Sequence, residues 1–317
     1  MLSRRVLRIK AMQVLYGYFG GNTDSIDIAE KQLNHSIQKS FDLFYFLLSL
    51  IVEIQFYAEK KIETSKNKFL PSDEDLNPNM KFINNSLIDF IKSNDKYKTF
   101  FNNKPYSWIN NQDLIKNIYS ELIVFEPYIK YMASNKTSFE DDKKIVQLIY
   151  SDIIADNDLF FSVLEEHSIY WNDDVEFIIS MIIKYIASVD NSLNTSSLFL
   201  DVYTNNEDKE FVKTLLSKTI FKHKENNELI SKYTRNWEVE RIASIDVLLM
   251  EMALVEFIEM AYVPVKVTLN EYIDLAKYYS TEKSSSFING VLDQLIIYLR
   301  ENKLINKQGK GLLGDKV

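Results

Sequence analysis

Residues 237–260 read WEVERIASIDVLLMEMALVEFIEM. The run holds no glycine and no proline. Its apolar residues Ile242, Ile245, Leu249, Met252, Ala253 and Val255 cover more of a helix than one stripe. Such breadth predicts a central helix buried on most sides. The absence of breakers extends outward from this run. No glycine stands between Asn22 and Asn289, and the chain of 317 residues holds 7 Gly and 5 Pro, where average usage gives roughly 38 of the two together. Hairpin turns need glycine for positive φ, and phosphate cradles of the GxGxxG and GxxxxGKS/T kinds are built from it. The composition therefore argues against both, and the expected fold class is all-α.

Downstream of the central run, Pro264 separates it from a second helix. There Leu269, Tyr272, Ile273 and Ala276 are expected to face inward, with Asn270, Glu271, Asp274 and Lys277 outward. Ser284, Ser285 or Ser286 is the expected cap of the last helix, whose inward stripe is Ile288, Val291, Leu292 and Leu295. Gly290 lies inside that helix at a cost of about 1 kcal/mol relative to Ala. The cost implies close approach to the backbone, by a neighbouring helix or by a ligand. Residues 307–317 read as a polar, flexible tail.

At the other end, residues 3–19 form a helix closed by Gly20 and Gly21, with Leu7, Ala11, Val14 and Tyr18 on its buried stripe. Arg4, Arg5, Arg8 and Lys10 lie in it, and no acid stands among residues 1–22. The chain carries a net charge of −8 and only six arginines, half of them in the first eight residues. A net negative chain does not coat nucleic acid generally. A local arginine cluster is either a solvated helix flank or a bidentate phosphate-binding group, and the residues alone leave both open. A mitochondrial presequence is also Arg-rich and acid-poor, but residues 13–19 read as packed helix.

Between the two ends the chain reads as helices joined by polar segments. One or two long helices span 24–63, loops cover 67–79 and 94–111, and Pro127 kinks or breaks a helix over 113–133. Val175, Ile178, Ile179, Ile182 and Ile186 form another stripe, and 188–197 is the expected linker. The longest uncharged apolar stretch, 43–52, is too short to span a bilayer, which takes about 20 residues. It reads as a buried helix, with no membrane association expected. Zero Cys excludes a disulfide scaffold, a thiol nucleophile and Cys-ligated metal. His35, His167 and His223 are scattered, and the paired acids Asp141-Asp142 and Asp173-Asp174 fit helix starts. No catalytic residue, cofactor or metal site is expected, and the chain does not read as an enzyme.

Two stretches resemble a known family. RRVLRIKAMQVLYGYF (4–19) is similar to the first helix of NusB-type transcription antitermination factors. NWEVERIASIDVLLMEMALVEF (236–257) followed by VPVKVTLNEYIDLAKYYSTEKSSSFINGVLD (263–293) resembles that family more specifically. Its signature is the VPxKVxxNExxxLAK run followed by FxNGVLD. The resemblance covers 1 to about 20 and about 200 to 300. It implies an all-helical bundle of two packed subdomains, here 1–21 plus 198–306, interrupted by an additional helical region over 22–197. It further implies a cytoplasmic, non-enzymatic protein that binds the boxA element of single-stranded RNA together with NusE, a small-subunit ribosomal protein. The pair then joins the RNA polymerase antitermination complex on ribosomal RNA operons. The implied RNA contacts are Arg4, Arg5, Arg8 and Lys10 in the first helix and Phe287, Asn289 and Gly290 in the last. The implied NusE contacts are Tyr16 and Glu256. The family often has a basic residue just before the Phe of the last motif, where this chain has Ser286.

Read as chemistry, the arginines supply salt-dependent phosphate contacts and Phe287 an aromatic face for an unpaired base. Phe287 and Tyr16 are equally readable as core, and Glu256 as an ordinary helix carboxylate. Two alternatives stand beside the RNA-binding reading. One is a helical interaction module that has lost its RNA face. The other is a NusB-like accessory module acting with an RNA methyltransferase.

Overall fold

The computed structural model describes residues 2–21, 25–103, 106–136, 138–190, 202–203, 205–234 and 243–313. Among these the structure is helical throughout, with no strand. The chain divides into two compact units, Met1–Ile37 with Asp201–Val317, and Gln38–Leu200.

Unit 1 is built on α12 (Ser244–Glu259), against which α1 (Arg4–Gly20), α11 (Asn206–Tyr233), α13 (Val265–Tyr279) and α14 (Ser284–Glu301) all pack. Every residue from Leu248 to Phe257 is buried, as the breadth of its apolar residues requires. The earlier part of that run, including Trp237 and Ile242, lies outside the described residues. In α1, Ser3 caps the first turn by accepting from Val6 N. The buried set Val6, Leu7, Arg8, Lys10, Ala11, Met12, Val14 and Leu15 is wider than the expected stripe. The reason is that α11 and α12 both cover this helix. In α13 the inward face is Val265, Thr268, Tyr272, Leu275 and Ala276. It is turned away from the expected one, so that Thr268 is inside and Leu269 and Ile273 are half-buried.

The last helix starts at Ser284 without a side-chain cap. Ser284 is instead buried and donates to Asp246 Oδ2 at 2.7 Å, which ties the start of α14 to the start of α12. The segment after α14 is also held, contrary to a frayed tail. Lys307 is buried, and its Nζ donates to the carbonyls of Glu256 (3.0 Å) and Met260 (2.8 Å) at the C-terminus of α12, the end that favours a cation. Gln308 N donates to Ala261 O at 2.8 Å. A Cβ on Gly311 would lie 2.0 Å from that same carbonyl, so this position demands glycine.

Unit 2 is organised on α2 (Ile26–Lys66), a single helix whose later two thirds belong to this unit. Residues 42–51 are buried on every side. Alone among the described helices, α2 is long and apolar enough to cross a membrane, and 72% of its most apolar window is buried inside the protein. Phe46 is the centre of an aromatic core, stacked on Trp108 at 3.9 Å and on Trp171 at 5.4 Å. Both indoles are satisfied, Trp108 by Ser49 Oγ and Trp171 by the Lys39 carbonyl. The rest of the unit is made of shorter helices: α3 (Asp73–Leu76), α4 (Ser86–Ser93), α5 (Asp95–Asn103), α6 (Gln112–Leu122), α7 (Glu126–Ala133), α8 (Phe139–Leu148), α9 (Asp158–His167) and α10 (Val175–Ser188). Pro127 is the second residue of α7 and breaks the run as expected. The expected loop over 94–111 contains α5, because Asn94 accepts from Lys96 N and Tyr97 N as a helix cap and Phe100 stacks on Tyr45. Most of the expected linker, from 191 on, lies outside the described residues. Residues 38–200 carry 16 Lys against 24 acids, the whole of the chain's net −8, so the other unit is neutral.

Candidate nucleic-acid interface

The first helix brings its three arginines to three different environments. Arg8 is 2% exposed, and its Nε and Nη2 both donate to the carboxylate of Glu256, itself fully buried in α12. Thr268 Oγ1 (2.8 Å) and Tyr272 OH (3.1 Å), both from α13, donate to the same carboxylate. Glu271 lies 3.6 Å from Arg8 Nη1, and the guanidinium sits over the Phe211 ring at 5.1 Å. Burial pulls the Arg8 pKa down, but the Glu256 ion pair outweighs it and the net shift is upward. Burial, then the Glu256 charge, hold Tyr272 well above the usual phenol range.

This cluster corrects several sequence expectations. Arg8 and Lys10 are buried, as is Glu256. Arg8 and Glu256 fasten α1, α12 and α13 to one another, and none of the three presents its side chain to solvent. Phe287 is buried too, because the stripe of α14 begins one residue earlier than its Ile288.

Arg4 and Arg5 remain part-exposed. Arg4 Nε binds Asp208 Oδ1 at 2.9 Å, and Nη2 lies 3.7 Å from Glu207, both at the start of α11. Its guanidinium also lies over Phe211 at 5.2 Å. Arg5 Nη1 lies 3.5 Å from Asp274, and its guanidinium stands 6.0 Å from the ring centre of Tyr278. Lys277 also pairs with Asp274 at 2.8 Å, and these cations, the Lys277 hydrogen bond foremost, lower the Asp274 pKa against the opposing effect of burial.

Asp274 and Tyr278 belong to the last turns of α13, and α14 begins five residues after α13 ends. Arg5 and the start of α14 therefore share one end of unit 1. Tyr278 is 77% exposed and was missed by sequence reasoning. Its signal was its place just off the inward stripe of α13. Lys283 is exposed at the same end and has no ion pair among the described residues. Asn289 is half-buried, with its amide 3.4 Å from Asp293 Oδ2. Gly290 is exposed, and a Cβ there would meet nothing within 4 Å. No neighbouring helix explains the glycine. Tyr16 is 52% exposed on α1.

Unit 1 is thus an all-α bundle wrapped on one central helix and pinned by a buried ion pair, with cations, an open aromatic and a bare glycine at one end. The NusB family model matches residues 178–296. That range starts inside α10, within the stretch expected as an addition. The transcription antitermination protein NusB of Salinibacter ruber is 41% identical over 106 residues, 33% of this chain and 66% of that protein. Its counterpart in Chloroherpeton thalassium is 37% identical over 113 residues, 36% of this chain and 54% of its own length. The one in Natranaerobius thermophilus is 33% identical over 91 residues, 29% and 66% of the two chains. The chain therefore matches between about half and two thirds of the length of these relatives. No solved structure matches it significantly. The chain belongs to the NusB family.

Proposed function

We propose that this protein is a transcription antitermination factor that binds boxA-type single-stranded RNA together with the NusE ribosomal protein. It acts in the cytoplasm within the RNA polymerase antitermination complex, on ribosomal RNA operons, and does no chemistry of its own. The observation that carries the reading is the gathering of Arg5, Tyr278, Lys283 and Gly290 at one end of a NusB-family bundle. Guanidinium and ammonium groups there take phosphates, and salt sets their strength. The face of Tyr278 takes an unpaired base. The bare backbone at Gly290 lets RNA approach more closely than any side chain permits. Asn289 supplies an amide that can turn from Asp293 to a base edge. Arg4 adds a second guanidinium, and Tyr16 is the contact for the protein partner.

RNA must displace carboxylates to reach these arginines, Glu207 and Asp208 from Arg4 and Asp274 from Arg5. Each exchange is close to neutral, so RNA alone binds weakly and the partner supplies the rest. The test is a titration of short boxA-type RNA with the full chain, with and without the NusE-type protein. Joint replacement of Arg4 and Arg5 by Ala is expected to weaken RNA binding at least tenfold, and Tyr278→Ala by a similar factor, since base stacking contributes about 1–3 kcal/mol. Tyr16→Ala is expected to weaken capture of the protein partner alone. RNA affinity untouched by all these changes sinks the assignment of this face. Capture of the protein partner with no RNA binding under any condition would favour the interaction module that has lost its RNA face.

A further inference from the structure

Unit 2 carries a knob and a hole made from neighbouring stretches of chain. The knob is the turn between α2 and α3, where Phe69 is 99% and Leu70 83% exposed. This turn is held at both ends. Asn67 N and Lys68 N donate to the carbonyls of Thr64 and Ser65. Lys68 Nζ reaches Asp75 at 2.8 Å, and Ser72 and Asp75 cap α3 reciprocally. Two large apolar side chains are therefore presented to solvent by a fastened turn, and nothing among the described residues covers them. Scattered single exposed apolar residues need no explanation, whereas an adjacent pair on a tied turn marks an interaction site.

The hole is an apolar cavity of about 270 Å³ lined by Ile62, Pro78, Tyr119, Ile123 and Tyr128, among others, with the carboxylate residue Glu74 also at its wall. It has room for an aromatic side chain. Val124 and Ile129, adjacent in sequence to two lining residues, are exposed as well. Ile62 lies on the last turns of α2 and Glu74 on α3, so the two helix ends that carry the knob also border the hole. The knob cannot fill its own hole, because the turn points Phe69 and Leu70 fully into solvent. The charges are divided in the same way, with Lys66 and Lys68 before the knob and Asp73, Glu74 and Asp75 after it. A surface that holds a knob, a hole and both charge signs side by side is complementary to itself under a two-fold rotation, the condition for an isologous dimer.

We propose that the occupant of the cavity is a second copy of this chain. Phe69 and Leu70 of each copy seat in the apolar cavity of the other, and Lys66 comes against Asp73 and Glu74 across the axis. The proposal is independent of the RNA reading, which concerns the other unit. It is tested by analytical ultracentrifugation of the full chain over a wide micromolar range. Three proteins are compared: wild type, the knob variant F69S/L70S, and the hole variant I123E, with circular dichroism and melting to establish that each folds. All the altered positions are at least half or nearly half exposed, so loss of the fold is not their expected effect.

Wild type is expected to dimerise, and each variant to dissociate at least about a hundredfold more readily, because the two-fold axis withdraws two apolar side chains from burial at each of two seats. A mixture of the two variants retains one intact knob and one intact hole. It is expected to associate more tightly than either variant alone. A wild type that is monomeric throughout overturns the proposal. So does a dimer whose dissociation constant neither variant changes, or a mixture no tighter than its components. Should one variant misfold, the other decides by the same criterion.

Discussion

At Arg8 a guanidinium is taken out of water, which costs several kcal/mol unless an opposite charge and further hydrogen bonds answer it. Glu256, Thr268 and Tyr272 provide them. Removing one partner leaves the other charge buried and alone. Arg8→Ala is therefore expected to destabilise unit 1 by about 3–5 kcal/mol, read as a shifted urea midpoint, with no selective effect on RNA contact. Glu251 is a second buried carboxylate on α12. Burial raises its pKa from 4.5 to about 7, and the His223 hydrogen bond only partly offsets this. Because the folded pKa lies above the unfolded one, its stabilisation is whole below pH 4.5 and is lost as pH rises through 7. Glu251→Gln should thus gain stability over wild type between pH 5 and pH 8, by up to ~3 kcal/mol. The difference in melting temperature at the two pH values measures it. An unchanged difference would mean the carboxylate is solvated. At this scale the sequence was least legible. The arginine cluster could be seen, but whether a given arginine faces water depends on helices distant in the chain.

At the scale of elements, the segment after α14 is an integral strap and not a loose end. Lys307 satisfies the last carbonyls of α12, and Gly311 lets the chain pass against Ala261. A methyl group at that position collides with backbone, which cannot give way cheaply. Gly311→Ala should cost about 1–3 kcal/mol. Hydrogen exchange should then speed up in the amides of the turn after α12, while those of α13 stay protected. Equal exchange in both proteins would count against the strap. Sequence reading placed α1, α13 and α14 nearly as they are, because their apolar residues recur at helical spacing, whereas α12 starts at Ser244, seven residues into its expected run, after an extended Ala243. It failed at α5 and at the start of α14. Asn94 is both a loop residue and a helix cap by type, and Ser284 is capable of capping yet is drawn inward by Asp246. Side-chain type alone does not separate these uses.

Across the whole molecule, charge is segregated. Residues 38–200 hold all of the net −8, and the other unit is neutral. Among the described residues its proposed RNA end offers Arg4, Arg5, Lys277 and Lys283 as cations, all but the last already paired. A site engaging two or three phosphates gives a shallow salt dependence, with a slope of log affinity against log salt of about −1.5 to −2 for a single strand. A much steeper slope would require a basic surface elsewhere on the chain. The sequence by itself determined that the protein is helical and that it has a buried central helix, and its residues 178–296 carry the match to the NusB family. The first two rest on periodicity and on missing breakers, which are properties of neighbouring residues. Only the tertiary structure decided that Arg8 and Glu256 bind one another, that Phe287 is core and that Tyr278 is exposed beside Arg5. Those facts depend on residues far apart in the chain meeting across helix packing, and one sequence records the side chains without recording which of them meet.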